Sequence, residues 1–351
     1  MSRKQTVRNH PVHTAEATQT ADKKMSLIPF CDAEPLLPRA TDYQAVVYDD
    51  FNKYYQPPVD RMALSELPSM NGQHGGILRA RVNMVAGDFI SGGGMTLEDM
   101  LAATTNLLTF GDVGFLKIRN QFGAVMRLVP LPSLYLRRRR DGGITILQSG
   151  GPLHYAPNDV IFVKLYDPRQ QVYGLPDYLG GINSAMLNID ATTFRRRYFR
   201  NGAHLGYIFY STDPNMSQEM ENEVRQKIEQ SKGAGNFRSM FINIPNGKPD
   251  GVKLIPIGDM GAKDEFVSIK NISMQDLLNA HRFPPGLAGM MPNNTGGFPD
   301  PEKSRAAYRK DEVLPLHRLL EDAIQADPEI PKSLHIKFDK KQNDSANGGE
   351  K

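Results

Sequence analysis

The chain has 351 residues, with 42 Lys plus Arg against 39 Asp plus Glu, a formal net charge of +3. That near-balance argues against tight gripping of nucleic acid through its phosphates, and no run approaches the roughly 18 consecutive apolar residues of a membrane span. Cys31 is the only cysteine, which excludes an intrachain disulfide and every cysteine-cluster metal site.

Residues 1–26 are polar, rich in Thr, Lys and Arg and poor in large apolar groups, so they are expected to form a disordered arm. They contain no apolar segment of the kind a secretory signal needs. Thr96 followed by Asp99 predicts a capped helix running to Phe110 and closed by Gly111, with Met100, Leu101, Thr104, Leu107 and Leu108 on one side. Residues 115–119 and 124–128 flank Asn120-Gln121-Phe122-Gly123 and predict a hairpin, and 134–140 and 144–148 flank Asp141-Gly142-Gly143 and predict a second. Val160 to Tyr166 reads as a further strand.

From Tyr178 to Arg200 the pattern becomes helical, without proline. Ile182, Ala185, Met186 and Ile189 form one apolar face, and Leu187, Ala191, Phe194 and Tyr198 a second. A helix apolar on two sides is expected to lie between neighbours, including neighbours from other subunits. Residues 205–211 read as strand, 217–232 as a surface helix capped by Ser217, and 240–244 and 252–257 as two more strands. A short helix is expected near 273–281. Asp300-Pro301 then starts a long helix to about Ala326, bent at Pro315. Residues 340–351 read as a disordered tail.

No catalytic constellation assembles. The chain lacks GxxxxGK[ST], HExxH, GxSxG and GxGxxG, and its eight histidines (10, 13, 74, 154, 204, 281, 317 and 335) include no pair at i,i+4. No catalytic residue, metal ligand or cofactor is therefore expected. Three features stand out instead. Arg137, Arg138, Arg139 and Arg140 alternate across a predicted hairpin, fit for an exposed turn, an ion-paired contact with a neighbouring protomer, or phosphate. Arg195, Arg196, Arg197 and Arg200 end the central helix, where the dipole favours cations; four of them suggest carboxylates of another subunit or a polyanion. The stretch 284–301 (PPGLAGMMPNNTGGFPDP) is long for a connector without periodicity, as functional or mobile loops tend to be.

The runs YGLPDYLGGINSAMLN (173–188), FRRRYFRNGAHLGYI (194–208), SKGAGNF (231–237) and PNGKPDGVKLIPI (245–257) resemble phage portal proteins, specifically the PBSX-like subgroup. So do KDEFVSIK (263–270), LLNAHRFPPGLAGMMPNN (277–294) and EVLPL (312–316). Looser matches in the same order upstream, YYQPPVD (54–60) and FGDVGFLKIRN (110–120), extend the similarity over residues 40–338.

The resemblance implies an α+β portal fold, assembled as a ring of about twelve copies, and no enzymatic activity. Residues 40–175 would be the α/β wing, 177–202 a wing-to-stem helix and 203–260 a small α/β clip. Residues 262–283 would be the stem, 284–301 the tunnel-loop region and 302–338 the crown side of a helical crown, with the arm 1–26 open to trimming. It implies a channel for double-stranded DNA, passed without sequence preference, with Asn293, Asn294, Thr295, Gly296 and Gly297 as channel candidates. Phe194 and Tyr198 are candidates for packing between protomers, and the two arginine clusters for inter-subunit or phosphate contacts. The implied partners are further copies of the chain, the terminase large subunit, scaffold and major capsid protein, and head-completion or connector proteins, with no membrane. The implied location is the portal vertex of the virion, and the host cytoplasm during assembly. Another head–tail connector or a minor capsid protein, without terminase docking, is the alternative.

Overall fold

The computed structural model describes residues 46–200, 207–211, 219, 222–223, 226, 240–243, 252–256, 262–288 and 300–340. The arm 1–26, nearly all of the tail 340–351 and most of the expected Ser217 helix lie outside them. The chain divides into two units: one holds residues 33–196 and 260–351, the other residues 197–259 together with the N-terminal segment.

The larger unit opens with a two-stranded hairpin, β1 (Tyr48–Asp49) and β2 (Tyr54–Tyr55), followed by helices α1 (Arg61–Met70) and α2 (Gly72–Ala86). Side chains cap both helices: Asp60 accepts from the backbone N–H groups of Met62 and Ala63, and Asn71 from those of Gln73 and His74. No sequence pattern announces these helices, since Pro68 and three glycines interrupt the apolar positions. Gly75 shows why they are tolerated. A Cβ there would lie 2.1 Å from the Pro68 carbonyl oxygen, so only glycine lets α2 start this close to the end of α1.

After β3 (Phe89–Ser91) comes α3 (Leu97–Phe110), with the expected capping box between Thr96 and Asp99. Gly111, at φ +84°, ends it and turns the chain into β4. β4 (Asp112–Arg119), β5 (Val125–Leu131) and β9 (Val160–Lys164) make an antiparallel sheet in the order β5-β4-β9, so the first expected hairpin is present. The second is shorter than expected. A 3-10 turn occupies Ser133–Tyr135, and β6 (Leu136–Arg138) pairs with β7 (Ile144–Ile146), which pairs in turn with β8 (Leu153–Tyr155).

A single 3-10 turn, Leu179–Gly181, leads into α4 (Ile182–Arg200). α5 (Ala262–Ala280) is more than twice the length expected around residue 273. Asp300 caps α6 (Pro301–Tyr308), which passes through a π-helical segment, Arg309–Val313, into α7 (Leu314–Gln325). The expected bend at Pro315 is therefore a widened turn just before it. The Leu314 N–H bonds back to Arg309, and Pro315, which has no N–H, falls in the first turn of α7, where none is needed.

Three cores hold this unit together. α1, α2, α4 and α5 share Leu64, Leu67, Val82, Ile182, Ala185 and Leu277. A second core joins Met100, Leu107, Phe115 and Leu128 to Leu320, Ile324 and Ile336 from the C-terminal segment. A third lies under the small β6-β7-β8 sheet, around Leu136, Ile144 and Tyr173. Each fully buried Leu or Phe contributes roughly 1.5–3 kcal/mol. The segment read as the crown side thus shares a core with the segment read as the wing. Its last strand, β13 (Lys337–Phe338), pairs antiparallel with β3.

In the smaller unit, β10 (Tyr207–Ser211) lies between β11 (Met240–Asn243) and β12 (Val252–Pro256). β10 and β11 run parallel, β10 and β12 antiparallel. A parallel pair needs a crossover of a dozen or more residues, and the 28 between Ser211 and Met240 include the four described helical positions 219, 222, 223 and 226.

Candidate functional site

The residues singled out from the sequence fall in different surroundings. Arg137 is half-buried and donates to the carbonyls of Leu134 (3.0 Å) and Leu136 (2.9 Å), and burial depresses its pKa. Arg138 donates to the Gly142 carbonyl at 3.0 Å and lies 4.6 Å over the Phe162 ring. Arg139 pairs with Asp141, and Arg140 stands 4.0 Å over Tyr48. All four cations are engaged by their own chain, on the hairpin and the turn before it, on Phe162 of β9 and on Tyr48 of β1.

α4 carries the second group. Of its first face, Ile182, Ala185 and Ile189 are buried in the core as the periodicity implies, while Met186 packs against that core only partly buried. On its second face Leu187 is 49% exposed, while Ala191 and Phe194 are half-buried. Arg195 and Arg196 are exposed and Arg197 half-buried. The side chains of Tyr198 and Arg200, and the whole of 293–297, lie outside the described residues.

The first two turns of α4 are fastened to α5 by polar side chains. The Ser184 hydroxyl donates to Asp276 (3.0 Å), and the Asn188 amide to the Ser273 hydroxyl and to Gln73 of α2, both at 2.9 Å. Ile272 of α5 is 57% exposed. The two helices on either side of the 201–261 insertion are thus bound side by side, with apolar groups left at their surface.

Where α4 and α5 meet α2, a buried polar cluster forms that no sequence spacing announces. Arg81 holds Asp177 bidentately (3.0 and 2.6 Å) and donates to His281 Nδ1 at 3.0 Å. His281 Nε2 lies 3.0 Å from His74 Nδ1. Burial and the Arg81 charge push the His74 pKa down to about 4 and that of His281 to about 2. Tyr178 stacks on His281 and donates to the Thr109 carbonyl at 2.8 Å. Arg282, the next residue, reaches Asp177 (3.0 Å) and Glu312 (2.7 Å). His74 and His281 are 207 residues apart, so only the fold brings them together.

Beside the cluster opens a groove of about 700 Å³ lined by Tyr166, Leu175, Asp177, Leu179, Arg282 and Glu312, among others. It holds neither a nucleophile paired with a base nor a group of metal-ligating side chains; no cluster of three or more His, Cys, Asp or Glu suited to a metal occurs among the described residues. Among those residues no helix is long and apolar enough to cross a membrane. The geometry is that of a joint, with charges that hold helices.

Comparison with known proteins carries this further. The family model described as phage portal protein matches residues 94–347. The probable portal protein of Haemophilus phage HP1 (strain HP1c1) is 56% identical over 306 residues, which is 85% of this chain and 89% of that one. The probable portal protein of Escherichia phage P2 is 34% identical over 308 residues, or 87% and 90%. Among solved structures, the neck of a native gene transfer agent particle, computed with C12 symmetry, matches with a TM-score of 0.59 at 16% identity, covering 86% of this chain and 88% of that chain. With a family match over more than half its length and relatives this similar across nearly all of theirs, the chain belongs to the phage portal protein family.

Proposed function

We propose that the chain is the portal vertex subunit of a tailed phage. Copies close head-to-tail into a ring whose channel passes double-stranded DNA during packaging and ejection, and the ring docks the terminase large subunit and later head-completion proteins. The observation that carries this is the second apolar face of α4. Leu187 and Ala191 sit one helical turn apart, and Leu187 is half-exposed although Ile182, Ala185 and Ile189 on the opposite face are buried. A neighbouring copy is the natural cover for such a face, since unlike patches joined head-to-tail generate rings when the rotation closes. The near-neutral charge fits a channel along which DNA must slide, because strong phosphate binding at each step would be a barrier to motion.

In this reading α4 and α5 are the stem, residues 203–260 the clip, and residues 40–175 the wing, with 302–338 built into the wing's core. Arg195, Arg196 and Arg197 are placed for carboxylates of the next protomer or for phosphate. Among the hairpin arginines Arg140 is the exposed one and the best placed for such a contact. Leu187→Glu is expected to reduce ring yield at least ~10-fold in native mass spectrometry, because an unpaired carboxylate would be buried at the seam. Its melting temperature should stay near wild type, Leu187 being half-exposed in the single chain. Rings at wild-type yield would refute the placement. The loop proposal is tested separately: deleting Asn293 to Gly297 should leave rings intact but lower the DNA packaged per head. Normal packaging would make the loop a connector only.

A further inference from the structure

Three unusual features converge at the end of α5. Arg282 has φ +52°, in the left-handed region that L side chains adopt at a cost and that helix C-caps normally give to glycine. The cap itself is in place, with the Phe283 N–H donating to the Leu278 carbonyl at 2.8 Å and that of Arg282 to Asn279 at 3.0 Å. The second feature is the π-helical segment Arg309–Val313, which carries Glu312; π turns cost helix stability and occur often at functional positions. The third is Asp177, which stands five residues before α4 and is shared between the buried Arg81 of α2 and the half-exposed Arg282.

These features have one centre. The Arg282 side chain reaches Glu312 on one side and Asp177 on the other, so its two ion pairs hold a backbone that would otherwise prefer negative φ. Asp177 in turn ties this point to α2 and to the root of α4. α4 and α5 are the helices by which the chain leaves for the 201–261 insertion and returns from it, so both roots meet at a single carboxylate. Arg282 is 53% exposed, and all three charged groups line the open groove, where ions and charged partners reach them.

We propose that Asp177, Arg282 and Glu312 form a strained ionic latch that sets the roots of α4 and α5 in one of two arrangements. The second is reached when Arg282 leaves Glu312 and its backbone relaxes to negative φ. A latch of this kind has separable parts: the ion pairs close it, and the left-handed residue opens it.

Hydrogen exchange on the full-length chain, read by mass spectrometry, separates them. Glu312→Gln keeps the strain and removes its main restraint. Amides from Leu277 to Phe283 should then exchange on the order of 10-fold faster at low salt, while α3 and β4 stay unchanged. Arg282→Gly removes the ion pairs and the strain together, so those amides should remain protected to within about twofold of wild type. Wild-type exchange in this segment should accelerate with salt, exchange in Glu312→Gln should do so less because its Arg282–Asp177 pair remains, and exchange in Arg282→Gly should not. Equal loosening by the two variants would reduce the cluster to an ordinary salt bridge and overturn the proposal. So would acceleration shared equally with α3 and β4, or a wild-type segment indifferent to salt. Ring formation is not part of this readout, so failure here leaves the portal reading standing.

Discussion

Arg61→Leu is expected to lower the unfolding free energy by about 3–5 kcal/mol, because it strands a carboxylate inside the protein. The Arg61 and Asp112 side chains are 3% and 0% exposed. Their pairing is bidentate, at 3.0 and 2.5 Å. Arg61 also donates to the Ser133 carbonyl, and Asp112 accepts from the Gly174 N–H at 3.3 Å. Phe110 and Tyr173 lie against the guanidinium, 5.8 and 4.8 Å from its carbon. One ion pair thus joins the start of α1, the start of β4, the 3-10 turn after β5 and the strap at residue 174. Burial already pushes the Asp112 carboxyl up, against the pull of Arg61. Without the arginine it would protonate or draw water into the core. In a chain of this size such a loss lowers the melting temperature by about 4–7 °C. The double variant Arg61→Leu/Asp112→Leu should recover most of the loss, since replacing both partners of a buried pair with apolar groups is often neutral. Urea unfolding of the two variants checks this. A single variant within about 1 kcal/mol of wild type would mean that water reaches Asp112.

The sequence made some of this legible and hid the rest for identifiable reasons. α3 could be read nearly to the residue, because Thr96, Asp99 and Gly111 are local signals whose chemistry is complete within a few residues. The β4–β5 hairpin and the Asp300 cap are of the same kind. α1 and α2 were invisible because tertiary contacts override propensity there. Gly72, Gly75 and Gly76 weaken the helix on its own, but Gly75 allows it to pack against α1, and the buried Asn71 that caps it donates to the Ala185 carbonyl at 2.8 Å. Arg137 to Arg140 look alike in a line of text. In the fold they meet carbonyls, a carboxylate and two aromatic rings, and no run of identical letters reveals which. The cluster at Arg81 was hidden more deeply. Its members come from positions 74, 81, 177, 281 and 312, so none of its spacings has a meaning along the chain. The signals available were the runs YGLPDY before α4, LLNAHRFPPG and EVLPL, which placed Asp177, Tyr178, His281, Arg282 and Glu312 in a family pattern without saying what they hold.

That cluster also predicts a loss of stability in mildly acidic solution. Arg81 is a permanent donor, so the Nδ1 atom of His281 must accept from it, and the His281 proton must sit on Nε2. That proton is donated to Nδ1 of His74, which places the His74 proton on its own Nε2, a buried atom with no hydrogen-bond partner. Protonating either ring turns an acceptor into a donor facing a donor, and adds a third cation beside Arg81 and Arg282. The carboxylates at hand are already engaged, Asp177 shared by both arginines and Glu312 paired with Arg282. The folded chain therefore keeps both rings neutral down to about pH 4 for His74 and about pH 2 for His281. The unfolded chain takes up a proton at each near the ordinary value of about 6.5. Because the unfolded state binds more protons below that value, stability falls with pH, by up to about 1.4 kcal/mol per unit for each histidine. His317, also depressed by burial, adds to the same slope. Between pH 7.5 and 4.5 the two paired histidines alone remove on the order of 5 kcal/mol. Glu329, held down at about 2 by Arg119 and Lys117, keeps its contribution over that interval and loses it only at lower pH. Urea unfolding at a series of pH values should show this slope. His74→Gln, which retains an acceptor and a donor but does not titrate, should remove close to half of it. A stability that stays flat from pH 7.5 to 5 would show that the two rings are not the neutral, dry pair that joins α2 to the end of α5.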